Sequence, residues 1–237
     1  MSEGDSLTIV VPAYNEAGSL ERVVGQIASL VEESPREHEI VVVDDGSEDS
    51  TFEVAEALAG RLPFVRAVRH ERNLGSGSAI LTGIADARCD LVMYVPADGQ
   101  FHLPEIHDFL EAMREADIVI GARLRRSDYS WFRRLSSRVF ILLVNALFDQ
   151  DFRDVNWVHM WRRDLFRHVR PRSRGVFLLE EILVRATRRG AVVREIDSFY
   201  IPRRSGKAKG SHPATILKTI YEMAAFWLEL KRPRAGA

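Results

Sequence analysis

The chain has 237 residues, 46% hydrophobic and 28% charged, enough to bury a full core within one domain. Its formal net charge of -1 carries no general basic signal and argues against nucleic acid as a partner. A single cysteine, Cys89, excludes an internal disulfide and fits a reducing compartment. The polar, acidic start from Met1 to Ser6 lacks the layout of a signal peptide. The longest apolar run, Val139 to Phe148, is broken by Asn145 and is shorter than the roughly 20 residues a bilayer requires. The expectation is a cytoplasmic protein that meets a membrane, if at all, from its cytoplasmic surface.

In chain order, Leu7 to Val11 is a short β-branched apolar run ended by Pro12, which predicts a strand buried on both faces. From Glu16 to Val31 apolar residues recur at helical spacing, at Leu20, Val23, Val24, Ile27 and Leu30. Glu39 to Val43 predicts a second strand, closed by the turn residues Asp44, Asp45, Gly46 and Ser47. Ser50 or Thr51 is positioned to cap a helix through Leu58, and Val65 to Arg69 predicts a third strand. A helix over Ser78 to Ala87, a strand over Asp90 to Val95, a helix over Ile106 to Ala116 and a strand over Ile118 to Ala122 follow. Such alternation predicts an α/β fold with a Rossmann-like, mostly parallel sheet and crossover helices. Ligands of such sheets bind beyond the carboxyl ends of the strands, which sets Tyr14, Asp44, Asp45, Asp98 and Arg123 along one edge. The second half predicts helices over Arg133 to Phe148, Leu178 to Arg188 and Ala214 to Leu230. It also predicts an irregular strand over Val155 to Trp161 and a strand over Val192 to Ile196.

The loops after the strands carry the chemistry. They read Val11-Pro12-Ala13-Tyr14-Asn15-Glu16, Val43-Asp44-Asp45-Gly46-Ser47 and Pro96-Ala97-Asp98-Gly99-Gln100. In order and spacing they resemble glycosyltransferase family 2, with its nucleotide-binding GT-A fold, and within it the dolichol-phosphate mannose synthase, or polyprenyl-phosphate glycosyltransferase, type. The likeness runs from Leu7 to about Ser211. It implies one glycosyltransferase domain, with a nucleotide-sugar-binding half over 7–125, an acceptor half over 126–212 and a C-terminal amphipathic helix over 213–237.

The resemblance implies a donor site built from Pro12, Tyr14, Glu16, Asp44, Asp45, Gly75, Asp98, Arg123 and Arg203. Asp45 would accept from the ring N–H of uracil or guanine, while Asp44 orders the turn. Gly75, in Asn73-Leu74-Gly75-Ser76-Gly77-Ser78, would let backbone approach the nucleotide; the segment lacks the third glycine of a dinucleotide fingerprint. Asp98 and Gln100 would bind Mg²⁺ or Mn²⁺, which neutralises a departing diphosphate. Pro96 stands where the family often has a first aspartate. Gly121-Ala122-Arg123 matches a family position where arginine faces the diphosphate. Pro202-Arg203-Arg204-Ser205-Gly206-Lys207-Ala208-Lys209 resembles a basic loop over the phosphates, with Arg203 as its best match.

Asp154, Trp157, Arg203 and Lys207 are the acceptor candidates, with Trp157 where the family usually has serine or glycine. The implied reaction is an inverting displacement at the anomeric carbon of GDP-mannose or a UDP-sugar. Asp98, Arg123 and Glu181 are the catalytic candidates. A polyprenyl phosphate acceptor needs no base, whereas a hydroxyl acceptor needs a carboxylate such as Glu181, Glu180 or Asp154. Arginines beside apolar positions over Trp131 to Phe148, and Ile216, Leu217, Ile220, Phe226 and Trp227 near Lys231, favour the lipid acceptor at a membrane surface. Packing on the core, or a homo-oligomer interface, is the alternative use of both helices. A soluble hydroxyl acceptor, or a non-catalytic nucleotide-sugar binder of the same fold, stays open.

Overall fold

The computed structural model describes residues 5–124, 131–202 and 213–231. Its first half is β1 (Leu7–Ala13), α1 (Ala17–Glu32), β2 (His38–Asp44), α2 (Thr51–Arg61), β3 (Val65–Arg69), α3 (Ser76–Asp86) and β4 (Leu91–Tyr94). There follow α4 (Ile106–Ala112), β5 (Ile118–Arg123), α5 (Trp131–Phe148), β6 (His159–Arg162), α6 (Leu178–Thr187), β7 (Val193–Ser198) and α7 (Pro213–Lys231). Seven strands form one sheet in the order β3-β2-β1-β4-β6-β5-β7.

The alternation of side chains along each strand divides the core in two. Ile9, Val11, Ile40, Val42, Met93 and Val119 face a layer with α1 and α4. Val10, Val41, Val43, Val92, Ile118 and Ile120 face the opposite layer with α3 and α6. Both faces being apolar explains why β1 and β2 read as continuous hydrophobic runs rather than alternating ones. A third cluster, Val144, Phe148, Phe177, Val184, Met223 and Phe226, packs α5, α6 and α7 together.

The strand order reverses between β1 and β4, the place where such sheets open a crevice. One strand departs from the parallel expectation and builds the site. β6 runs antiparallel to both β4 and β5, so its entering segment, not its exit, lies at the edge where the other strands end. That puts Asp154 to Trp157 beside the end of β5 and the loop after β4. The irregular strand expected over Val155 to Trp161 is thus strand only from His159.

Other boundaries shift for local reasons. Neither Ser50 nor Thr51 caps α2 through its side chain; Asp49 does so, accepting from the Thr51 N–H at 3.0 Å. The helix expected over Ile106 to Ala116 is α4 flanked by 3-10 turns at Leu103–Glu105 and Met113–Glu115. A further 3-10 turn, Arg163–Arg167, has no helical periodicity to announce it.

Candidate functional site

The loops after β1 and β2 are sewn together by backbone and side-chain bonds. Asn15, in the left-handed conformation at φ 51°, donates its N–H to Ser47 Oγ at 2.9 Å and accepts from the Glu48 N–H at 2.8 Å. The Glu16 N–H donates to Thr51 Oγ1 at 2.8 Å, and the Glu16 carboxylate accepts from Ser19 at the start of α1. Pro12 is the penultimate residue of β1, paired with Val43, and Tyr14 follows half-buried. Asp44, fully buried, accepts from the Ser47 N–H and hydroxyl and faces Arg69 Nε at 3.3 Å, so it orders the turn. Gly46 has φ 69°, and a Cβ there would stand 2.3 Å from the carbonyl carbon of Arg72.

Asp45 is equally buried, and its carboxylate ties three segments. Oδ1 accepts from the Leu74 N–H at 2.9 Å and pairs with His70 Nδ1 at 2.7 Å, and Oδ2 accepts from the Gly75 N–H at 2.8 Å. The glycines that follow serve a neighbour that the sequence did not announce. A Cβ at Gly77 would stand 2.4 Å from the carbonyl oxygen of Gly175, and Ser78 N–H donates to Arg174 O at 3.2 Å. The segment 172–175 thus lies across the start of α3. It is held from behind by Glu222 of α7, which accepts from the N–H groups of Arg174 and Gly175 at 3.3 and 3.2 Å.

Glu181 belongs to the same strap. Its oxygens accept from the Arg172 and Ser173 N–H groups at 3.0 and 2.7 Å and from Arg185 Nε at 2.6 Å, and it is absent from the lining of the cleft described below. Although burial alone would raise its pKa, these donors hold the carboxyl below its ordinary value. Glu181, expected among the catalytic residues, is engaged here in positioning the backbone of residues 172 and 173. Glu180 beside it is buried, neither oxygen has a hydrogen-bond partner among the described residues, and burial, reinforced by the Asp154 charge, drives its pKa well above the ordinary value.

A cleft of about 500 Å³ opens at the ends of β4 and β5. Asp98, Gln100, Arg123, Asp154, Asn156, Trp157 and Tyr200 line one side, and residues of α3, α5, α6 and α7 line the other. Asp98 accepts from the Gln100 N–H at 3.0 Å, and the Gln100 amide nitrogen donates to the Tyr200 hydroxyl. Burial, with the nearby Asp98 charge, pushes the Tyr94 phenol above its usual pKa. Asp98 and Arg123 both line this cleft, whereas Asp45 is absent from its lining.

Arg123 is committed more deeply than the sequence suggested. Nε and Nη2 grip Asp154 at 2.7 and 3.0 Å, Nη2 also donates to Asn156 O at 2.9 Å, and the guanidinium lies 4.8 Å over the Trp157 ring. The Trp157 N–H donates to Ser198 Oγ at 2.8 Å, and its ring meets Tyr200 at 5.6 Å. Arg123 and Asp154 are therefore one buried pair, 6% and 2% exposed at their side chains, and Trp157 is its floor. The fork expected to face a diphosphate is engaged by Asp154 in this structure.

Sequence reasoning passed over Arg133, Ser136 and Ser137, which line the cleft from α5. The signal was present as an arginine within an amphipathic segment, but only the packing of α5 shows which arginine turns inward. Arg203 and Lys207 lie outside the described residues.

Asp98 and Gln100 present only oxygen donors suited to a hard cation, and no group of three or more His, Cys, Asp or Glu gathers among the described residues. This set fits an ion such as Mg²⁺ or Mn²⁺, which needs few protein oxygens when phosphate and water complete its shell. It does not fit Zn²⁺.

The family model for glycosyl transferase family 2 matches residues 8–177. The chain belongs to this family. A dolichol-phosphate mannosyltransferase of Pyrococcus furiosus is 30% identical over 236 residues, covering 95% of this chain and 66% of that protein. An undecaprenyl-phosphate 4-deoxy-4-formamido-L-arabinose transferase of Sodalis glossinidius is 33% identical over 214 residues, covering 87% and 63%. The chain thus spans about two thirds or less of the length of these relatives. Glucosyl-3-phosphoglycerate synthase of Mycobacterium tuberculosis, solved with Mn²⁺, UDP-glucose and phosphoglyceric acid, superposes with a TM-score of 0.75. The identity is 18%, with 98% of this chain and 82% of that one covered. Mannosyl-3-phosphoglycerate synthase of Rubrobacter xylanophilus gives 0.73 at 18%, with 98% and 77% covered. This family 2 chain therefore has the GT-A fold that its loops implied.

Proposed function

We propose that this chain transfers a sugar, with inversion, from a nucleotide diphosphate to a polyprenyl phosphate at the cytoplasmic surface of a membrane. The observation that carries the reading is the composition of the cleft. Oxygen donors at Asp98 and Gln100 share the lining with Arg133, Ser136 and Ser137 of α5, and Ile80, Phe140, Ile141, Ile216 and Ile220 add apolar surface. Such a cleft suits a phosphate with an aliphatic tail better than a polar sugar hydroxyl. The names of both relatives, each a transferase acting on a polyprenyl phosphate, support the same acceptor class.

A phosphate oxyanion is already a nucleophile and needs no protein base. That suits a site in which Glu181 is occupied by backbone, burial raises the pKa of Glu180, and Asp154 is gripped by Arg123. In this reading Arg133 and the α5 serines receive the acceptor phosphate, and the Arg123–Asp154 pair on Trp157 fixes the wall beside the transfer point. Asp98 and Gln100 would hold Mg²⁺ or Mn²⁺, which supplies charge neutralisation to the departing nucleoside diphosphate. The Mn²⁺ and UDP-glucose bound by the structural neighbour support that assignment.

No helix among the described residues is long and apolar enough to cross a membrane. Instead α5 exposes Trp131, Leu135 and Leu142, with Arg134 and Arg138 exposed among them, and α7 exposes Leu217, Ile220 and Tyr221. Apolar residues at helical spacing interleaved with cations favour an anionic lipid surface.

The deciding experiment supplies a radiolabelled nucleotide sugar and Mg²⁺ or Mn²⁺ to the purified chain with vesicles containing polyprenyl phosphate. Lipid-linked label is expected, and Asp98→Ala should lower its rate by about 10³-fold. Transfer confined to soluble hydroxyls, or unchanged turnover in D98A, would refute the proposal.

A further inference from the structure

The reading above leaves the donor base open, and the hydrogen bonding of Asp45 narrows it. A carboxylate offers about four lone-pair positions, two on each oxygen. On Asp45, Oδ1 already receives His70 Nδ1 and the Leu74 N–H, while Oδ2 receives the Gly75 N–H alone. Among the described residues this leaves one open acceptor position, on Oδ2. An ionised carboxylate only accepts, so Nδ1 of His70 carries the proton toward it. The opposite edge of the ring is pinned by Thr82 Oγ1 of α3, 2.9 Å from Nε2. The His70 backbone N–H donates to Asp44 O at 2.9 Å, so the residue is fixed at its backbone and at both ring nitrogens.

We propose that His70, by filling Oδ1, makes Asp45 a single-acceptor reader of the donor base, so that this chain prefers uridine to guanosine diphosphate sugars. The inference rests on Asp45 being the base contact in the proposed function. The pairing edge of uracil presents one ring N–H between two carbonyls, which one carboxylate oxygen satisfies. That of guanine presents a ring N–H beside an exocyclic amine, and a carboxylate with both oxygens open would take both. With Oδ1 filled, the guanine amine enters a desolvated corner without its acceptor, the kind of mismatch that discriminates strongly. Adenine and cytosine turn a ring acceptor toward the carboxylate and are disfavoured further.

The test is calorimetric binding of UDP and of GDP to the purified chain with Mg²⁺, which requires no acceptor. UDP is expected to bind at least about tenfold more tightly. In His70→Leu that ratio should fall by about tenfold, whereas His70→Asn, whose amide can still donate to Oδ1, should largely retain it. GDP binding as well as or better than UDP in the native chain overturns the base preference and leaves the donor site standing. Binding of neither nucleotide overturns the donor site and this inference together. The native comparison decides the preference whether or not a variant folds, and a folded H70L with an unchanged ratio overturns the role of His70.

Discussion

The corner around Asp44 and Asp45 and the cleft wall around Arg123 and Asp154 are built on opposite plans. Around Asp44 and Asp45 the buried polar groups find protein partners: Asn15, Ser47, Thr51, His70 and the amides of residues 74 and 75 close on one another. That corner is organised before any ligand arrives. Across the cleft, one buried ion pair stands on an indole, Glu180 lacks a hydrogen-bond partner for either oxygen among the described residues, and two helices turn apolar residues outward. A satisfied network holds one geometry, whereas a wall with buried charge and exposed apolar faces gets its final surroundings from what binds it. Under the proposed function, the difference suits a soluble nucleotide on one side and a lipid phosphate on the other.

Breaking the wall around Arg123 and Asp154 should cost most. Asp154→Ala leaves the Arg123 guanidinium buried against Trp157 without its carboxylate. Equilibrium denaturation should then show a loss of about 3–5 kcal/mol. A loss below about 1 kcal/mol would mean that the pair is more solvated than its burial indicates.

The strap between the two regions comes next. Gly77→Ala puts a methyl within 2.4 Å of the Gly175 carbonyl oxygen, and either α3 or the strap must move. A destabilisation of about 1–3 kcal/mol is expected, with weaker nucleotide binding because the same turn supplies the amides that hold Asp45. Unaltered stability and affinity would show the strap to be loosely seated.

The smallest effect separates two adjacent glutamates by the sign of their pH dependence. Glu180 has a raised pKa in the folded chain, so its folded form binds the proton more tightly than the unfolded form does. Stability is then undiminished below the unfolded value near 4.5 and falls as the pH rises above it. Glu181, with a lowered pKa, contributes stability above that value and loses it as the pH falls through the folded one. Thermal unfolding followed between about pH 3 and pH 8 should therefore show that Glu180→Gln stabilises the alkaline end by about 1 kcal/mol. Glu181→Gln should instead remove stability above about pH 4.5 and little at the acid end. Parallel profiles for the two variants would refute the opposite shifts of the two carboxyls.

β1 and β2 were legible in the chain because burial on both faces demands a nearly continuous apolar, β-branched run, which Leu7 to Val11 and Glu39 to Val43 supply. Turn residues placed Asp44, Asp45 and Asp98 at strand ends for the same local reason. These features obey short-range rules of backbone geometry and water exclusion, so order along the chain suffices to find them. The reversal of β6 obeys no such rule, because a four-residue strand carries no mark of its direction. Yet that reversal brings Asp154 onto Arg123 and Trp157 beneath both. The pairing of His70 with Asp45, the crossing of residues 174 and 175 over Gly77 and the inward turn of Arg133 are likewise contacts between segments far apart in sequence. Periodicity names the residues that face inward, and only the packed sheet and helices decide which of them meet.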